Sequence, residues 1–195
     1  MASNIYCVVL AAGESRRYGR TKLLEAYCGK PLLRHALEAA QIACAGRVCL
    51  VTGNDADAIR NAAGGLADTV VHNPEFESGI GSSIRSAVDV CSEHADALLI
   101  VLADQPLVTA VHLSTLIETW ESETSKIVVS AYSETIGPPV LFGRRYFGQL
   151  ANLSGDSGAK SVLREHGASL RPVNFEPAAI DIDTPEDLQE LPTQT

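Results

Sequence analysis

Four of the chain's 15 basic residues, Arg16, Arg17, Arg20 and Lys22, crowd into one short stretch that also carries Gly13 and Gly19. Glycines let backbone N–H groups approach a phosphate closely, and the cations supply charge. The stretch therefore reads as a site for a small anionic ligand, with a solvated basic turn as the other reading. It is not the dinucleotide fingerprint, because Gly13 and Gly19 are six apart, and no G-K-[ST] makes it a Walker loop. Three carboxylates stand far downstream: Asp104 after an apolar run, and Asp181 and Asp183 two apart. Mg²⁺ takes oxygen ligands, usually one or two carboxylates completed by substrate phosphates, and Asp104 with Asp183 would supply them. Asp104 also reads as a plain turn residue ahead of Pro106. In a strand running from Ala178 to Ile182, Asp181 and Asp183 would share one face and Ile180 and Ile182 the other. Thr184 as N-cap, Pro185 at N1 and Asp187 at N3 meet the needs of the following helix start. Asp183 is then not required for capping and is available as a ligand.

Three further segments have a chemical reading beside a structural one. Gly79-Ile80-Gly81-Ser82-Ser83 opens a helical pattern, where outward N–H groups hold a base edge or an anion; a flexible turn with a Ser cap is the plainer account. Gly137-Pro138-Pro139 is rigid and lacks two N–H donors, which suits a pocket wall or the entry of an edge strand. Gly155-Asp156-Ser157-Gly158 resembles the nucleophile loop of chymotrypsin-like serine proteases. Those enzymes are double β-barrels, often secreted and disulfide-bonded, whereas this chain alternates strands with helices, so that reading is rejected. Lys160, just beyond, is either a point charge for an anionic acceptor or a surface lysine of an amphipathic helix.

The elements that must position these residues follow from apolar periodicity. Continuous Val, Ile and Leu runs predict strands at Ile5 to Leu10, Val48 to Thr52, Thr69 to Val71, Ala97 to Leu102 and Lys126 to Tyr132. Segments 31–44, 55–63, 82–92 and 109–121 have helical spacing with suitable starters. Unbroken rather than alternating strands imply burial on both faces, and the βαβα order implies parallel pairing with right-handed crossovers. The fold class is α/β: a three-layer α/β/α, Rossmann-like, mostly parallel sheet with an antiparallel or edge extension in the last third. That extension is expected from Val140 to Phe142, Leu170 to Phe175 and Ala178 to Ile182. The reading gives one domain over 1–191 and a short tail over 192–195.

Composition narrows the partners. The chain has 195 residues, 46% hydrophobic and 20% charged, with a net charge of −9. An acidic protein lacks the basic surface that nucleic acid needs. The longest apolar run, Ile5 to Ala12, falls well short of the roughly 18 residues of a membrane span, and no basic segment ahead of it marks a secretory signal. The cytoplasm is the expected compartment, with no nucleic-acid or membrane partner. Five cysteines without C-x-x-C spacing argue against a structural zinc or disulfide framework.

The stretch L-A-A-G-x-S-x-R-x-G-x-x-K, from Leu10 to Lys22, resembles the signature loop of the molybdenum-cofactor nucleotidyltransferases, within the nucleotide-diphospho-sugar transferase-like fold. Matches continue in order through Asn73-Pro74, Gly79 to Ser83, Leu102-Ala103-Asp104-Gln105-Pro106, Gly137 to Val140, Gly155 to Lys160 and Asp181 to Leu188. The branch most similar is that of the cytidylyltransferases. Tyr18 stands where the loop usually has Met, and Pro138 where this branch often has His. The resemblance implies transfer of CMP from CTP to the terminal phosphate of molybdenum-bound molybdopterin, releasing pyrophosphate and giving a cytosine dinucleotide cofactor for a client molybdenum hydroxylase. It implies Arg17 and Lys22 as catalytic cations. Leu10, Ala11, Ala12, Gly13, Asn73, Gly79, Gly81 and Ser82 join them around the nucleotide, and Asp104 with Asp183 hold Mg²⁺, Asp181 being a close second. On the acceptor side it implies Pro138, Pro139, Gly155, Asp156 and Lys160. A guanylyltransferase on the same pterin and a sugar-phosphate nucleotidyltransferase are alternatives within the class. A non-catalytic carrier of the pterin is the alternative outside it, and the joint presence of Arg17, Lys22, Asp104 and Asp183 speaks against that carrier.

Overall fold

The computed structural model describes residues 3–15, 18–156 and 158–191. The first strand, β1 (Ile5–Ala11), leads through a short 3₁₀ turn to a two-stranded hairpin, β2 (Ala26–Tyr27) and β3 (Lys30–Pro31), and then to α1 (Leu32–Ala43). There follow β4 (Val48–Thr52), α2 (Ala56–Ala63), β5 (Thr69–His72), α3 (Ile80–Cys91), β6 (Ala97–Leu102) and α4 (Ala110–Ser122). The last part comprises β7 (Ile127–Tyr132), β8 (Thr135–Gly143), α5 (Phe147–Leu150), α6 (Lys160–Glu165), β9 (Leu170–Asn174) and α7 (Pro185–Glu190). None of the described helices is long and apolar enough to cross a membrane.

The seven-stranded sheet has the order β5-β4-β1-β6-β8-β7-β9. All its pairings are parallel except the two made by β8, which runs against β6 and β7. The alternation of side chains on β1 shows why its strands read as unbroken apolar runs. Cys7, Val9 and Ala11 enter a core with Leu33 and Leu37 of α1, Ile59 of α2 and Leu113 and Leu116 of α4. Val8 and Leu10 enter the opposite core with Ile84 and Val88 of α3, Leu150 of α5 and Val162 of α6. Both faces are covered, as a parallel sheet requires, and the molecule is the three-layer α/β/α expected.

Two segments depart from expectation. β8 is longer than Val140 to Phe142 and takes in Gly137-Pro138-Pro139. The two prolines fit because β6 pairs with β8 only from Val140 to Gly143, so on that side the residues missing an N–H face no ladder. A register shift between Val129 and Ser130 on β7 lies opposite the same place. The second departure is Ala178 to Ile182, which is no strand. Glu176–Ala179 forms a 3₁₀ turn with Pro177 in its first turn, and residues 180–183 have no regular structure. The even face expected for Asp181 and Asp183 therefore does not exist, and other bonds bring them to the site.

Candidate active site

β1 and β6 are adjacent and parallel, so the segments beyond Ala11 and Leu102 emerge at one edge of the sheet. That edge is where open α/β sheets bind ligands. A cavity of about 470 Å³ lies there. Leu10, Ala11, Ala12 and Gly13 line it from β1 and its loop, and Lys22 from the 3₁₀ turn beyond. Leu23, buried among Leu33 and Ile59, pins that turn to the core, and the hydroxyl of Thr21 bonds the carboxylate of Asp55 at the entry to α2. Arg17, expected beside Lys22, lies outside the described residues.

Asp104 and Asp183 come to Lys22 from opposite directions. The Lys22 ammonium donates to Asp104 Oδ2 at 2.8 Å and to Asp183 Oδ1 at 3.2 Å. Asp104 follows β6 directly, while Asp183 is delivered by a chain of local bonds. The backbone N–H of Ile182 donates to the carbonyl of Asp104 at 3.0 Å, and the Ile182 side chain is buried against Tyr18 and Leu32. Beyond it, Thr184 caps α7 as expected, with Pro185 in the first turn and a reciprocal capping box to Asp187. Asp187 also accepts from the backbone N–H groups of Asp183 and Thr184 at 2.9 and 2.7 Å, which hold its carboxyl below the usual range. This cap fixes the backbone on which Asp183 sits.

The electrostatics are those of a compact mixed cluster. Burial works against the Lys22 ammonium, but Asp104 and Asp183 outweigh it and the lysine is held above its ordinary value. Asp181 is shifted up, first by partial desolvation and then by the neighbouring Asp104 and Asp183 carboxylates. Three carboxylates thus share one corner with one described ammonium among them.

The expected nucleotide residues divide into two groups. Gly79 lines the cavity together with Asp156, whereas Asn73, Gly81 and Ser82 do not. Asn73 is 1% exposed, and its Nδ2 donates to the hydroxyls of Ser82 and Ser83 at 2.8 and 3.0 Å. Ser82 in turn bonds the carbonyls of Glu75 and Gly79. The Gly81 N–H, expected to face a ligand, donates instead to the carbonyl of Gly155 at 3.1 Å. These residues build the start of α3 rather than reach into the cavity.

The Gly155 contact joins two segments expected to serve different substrates. A Cβ on Gly79, whose φ is 104°, would lie 2.4 Å from the Gly155 carbonyl carbon and 2.5 Å from Asp156 Oδ1. Only glycine permits this approach, which packs Gly155 on Gly79 and brings Asp156 to the cavity wall. Pro138, Pro139 and Lys160 are not among its lining residues. Pro139 is buried with its carbonyl accepting from Ser130, and Lys160 is an exposed residue opening α6. Ser157 lies outside the described residues. Ser15, Phe76, Ser83 and Leu102 also line the cavity and were not expected. Ser83 and Leu102 sit inside motifs already singled out, while nothing local marks Phe76, which reaches the site by packing over Gly53.

A three-layer sheet with a Gly-bearing basic loop after its first strand, and carboxylates gathered at the same edge, belongs to the nucleotidyltransferase enzymes. The sequence pattern of the MobA-like NTP transferase domain matches residues 7–170, and the chain belongs to that family. It is 30% identical to the purine catabolism protein PucB of Bacillus subtilis (strain 168), over 92% of each chain. It is 29% identical to nicotine blue oxidoreductase of Paenarthrobacter nicotinovorans, over 94% of each. The crystal structure of Rv0371c from Mycobacterium tuberculosis H37Rv is similar with a TM-score of 0.82 at 31% identity, covering 97% of both chains. The same protein in complex with manganese gives a TM-score of 0.78 at 30% identity, again over 97% of each.

Proposed function

We propose that this protein is a cytoplasmic cytidylyltransferase, folded as one unit over 1–191. It transfers CMP from CTP to the terminal phosphate of molybdenum-bound molybdopterin and releases pyrophosphate, and its dinucleotide product serves a client molybdenum hydroxylase. The observation that carries this reading is the meeting of Lys22, Asp104 and Asp183 on the cavity beyond β1 and β6. Family membership and the ordered motifs from Leu10 to Leu188 support it. The same cluster favours phosphate chemistry over the redox chemistry in the name of one relative.

Asp104 and Asp183 fit a hard divalent cation, since both offer carboxylate oxygen and Asp181 stands near. Among the described residues no group of three or more His, Cys, Asp or Glu is arranged to hold a metal. Phosphate and water oxygens would complete the shell, as Mg²⁺ favours; the manganese complex of a relative supports a divalent ion, and Mg²⁺ is our assignment. When bound, it neutralises charge on the reacting phosphates.

The protein's own part is positioning. The acceptor phosphate oxygen attacks the α-phosphorus in line as the bond to pyrophosphate breaks, and no protein nucleophile is needed. Lys22, with Arg17, holds the triphosphate and stabilises the leaving pyrophosphate. The backbone from Leu10 to Gly13 lies along the nucleotide. A Cβ on Gly13 would meet no described protein atom within 4 Å and its φ is not left-handed, so the space beside its backbone is open to the nucleotide. Asn73, Gly81 and Ser82 act by shaping the loop at Gly79. Asp156 faces the acceptor from the cavity wall, with Gly155 packed on Gly79 beside it and Pro138, Pro139 and Lys160 farther out.

Pyrophosphate release from each of four NTPs, with and without the metallated pterin, tests the reading. Release from CTP that depends on the pterin is expected. Preference for GTP would make the protein a guanylyltransferase, and release with a sugar phosphate instead would change the acceptor. Pterin binding with no release from any NTP would make it a carrier.

A further inference from the structure

Gln105 sits directly after Asp104, is 3% exposed, and belongs to neither the nucleotide nor the acceptor set. Its Nε2 donates to the carbonyl of Ala178 at 2.8 Å, and Ala178 is itself buried. Its Oε1 makes no hydrogen bond of normal geometry, with the phenol of Tyr132 beside the amide. An unsatisfied buried acceptor costs about 1 to 3 kcal/mol. The contact that Gln105 makes with normal hydrogen-bond geometry is therefore the one its amide donates to Ala178.

What the donor holds is the segment carrying the second and third carboxylates. Residues 180–183 have no helix or strand of their own. Two hydrogen bonds tie this stretch to the turn after β6: Gln105 to the Ala178 carbonyl, and the Ile182 N–H to the Asp104 carbonyl. The first is made by a side chain and the second by backbone, and they flank Asp181 on one side and adjoin Asp183 on the other. Without the Gln105 bond, the backbone bond and the buried Ile182 side chain still hold the stretch near Asp183, but residues 178–181 lose their side-chain tie to the turn after β6, and the spacing of the two downstream carboxylates to Asp104 loosens.

We propose that Gln105 is a positioning residue, which fixes Asp181 and Asp183 against Asp104 through its bond to Ala178 and so sets the oxygen geometry offered to a divalent cation. The cation is part of the reading given above; the tethering is not. Residues that orient metal ligands from behind typically change metal affinity by about 10- to 100-fold when removed.

Mn²⁺ titration followed by electron paramagnetic resonance, with amide hydrogen exchange at Ile182, tests this in the wild type and in Gln105→Met, which keeps the volume and loses the donor. The expected result is Mn²⁺ affinity lowered roughly 10-fold or more and faster exchange at Ile182, with a cooperative melt retained. A glutamine that merely fills the core predicts a lower melting temperature with Mn²⁺ affinity and Ile182 exchange unchanged, and that outcome overturns the proposal. If Gln105→Met does not fold, Gln105→Leu replaces it, since its side chain has no donor for the Ala178 carbonyl. Undiminished protection of Ile182 in that variant also overturns the proposal. Should the wild type bind no Mn²⁺, the cation reading fails and exchange at Ile182 alone decides the role of Gln105.

Discussion

The Lys22 ammonium stands 2.8 Å from Asp104 Oδ2 across 82 positions of sequence. One residue comes from the turn after β1 and the other from the end of β6, and the parallel pairing of those strands makes the meeting possible. The Lys22 side chain is 13% exposed, so its charge acts in a medium less screening than water and cannot be treated as a surface ion pair.

Lys22→Ala should lower turnover more than nucleotide affinity. The ammonium matters most as the α–β bond breaks, and loss of one such contact costs roughly 3 to 4 kcal/mol, or about 100- to 1000-fold in kcat. Steady-state kinetics at saturating CTP checks it. A raised KM with unchanged kcat would reduce Lys22 to a ground-state anchor.

Asp104→Ala and Asp183→Ala should each abolish turnover and leave the fold intact. The fold should survive because the structural bonds at both positions are made by backbone: the Asp104 carbonyl accepts from Ile182, and the Asp183 N–H donates to Asp187. Asp181→Ala should be milder. Circular dichroism beside activity at saturating Mg²⁺ measures both, and near wild-type activity in Asp183→Ala with loss in Asp181→Ala would exchange their roles.

Lys160→Ala should raise the KM for the phosphorylated acceptor severalfold and leave CTP binding with Mg²⁺ within error of wild type by calorimetry. Lys160 opens α6 outside the cavity beyond β1 and β6, where a point charge would serve an anionic partner. A solvated helix lysine predicts no change in either quantity. Lost CTP binding would move Lys160 to the nucleotide side.

His112 should make stability depend on pH below neutrality. The ring is buried, stacked on Phe175 with centroids 3.9 Å apart. Its Nε2 donates to Ser130, whose own proton goes to the Pro139 carbonyl. Burial pushes its pKa from 6.5 down to about 4. Between those values the unfolded chain binds a proton that the folded chain refuses, so stability present above pH 6.5 is lost as pH falls toward 4, by up to roughly 3 kcal/mol. Urea unfolding at pH 7.5 and pH 5 should show this decline in wild type and a smaller one in His112→Gln.

Much of the frame is legible in the amino-acid sequence. The runs at Ile5, Val48 and Ala97 became parallel strands because burial on both faces demands unbroken apolar sequence, and that demand is visible locally. Thr184, Pro185 and Asp187 became the cap their types announce, since a helix start is built from neighbours in sequence. Gly13, Lys22 and Asp104 came to one cavity because the loops following parallel strands share one edge of the sheet, whereas the bonds of Ile182 and Asp187 brought Asp183 there.

Other features depended on contacts between residues far apart in the chain. Gly137-Pro138-Pro139 looked like an interruption, yet it lies within β8, because the pairing of β6 with β8 stops at Val140 and no β6 ladder asks for the missing N–H groups. Ala178 to Ile182 has the alternation of a strand, but Gln105 and Asp104 take its carbonyl and N–H, and no ladder forms. Asn73, Gly81 and Ser82 have the polarity of ligand contacts and satisfy their hydrogen bonds inside the protein. The amino-acid sequence by itself determined the layers, the strand-end loops and the charges they carry, because those follow from periodicity and residue type. The tertiary structure alone decided which partner each polar group took, because a hydrogen bond of about 3 Å selects among groups that the fold, and not the spacing in sequence, brings within reach.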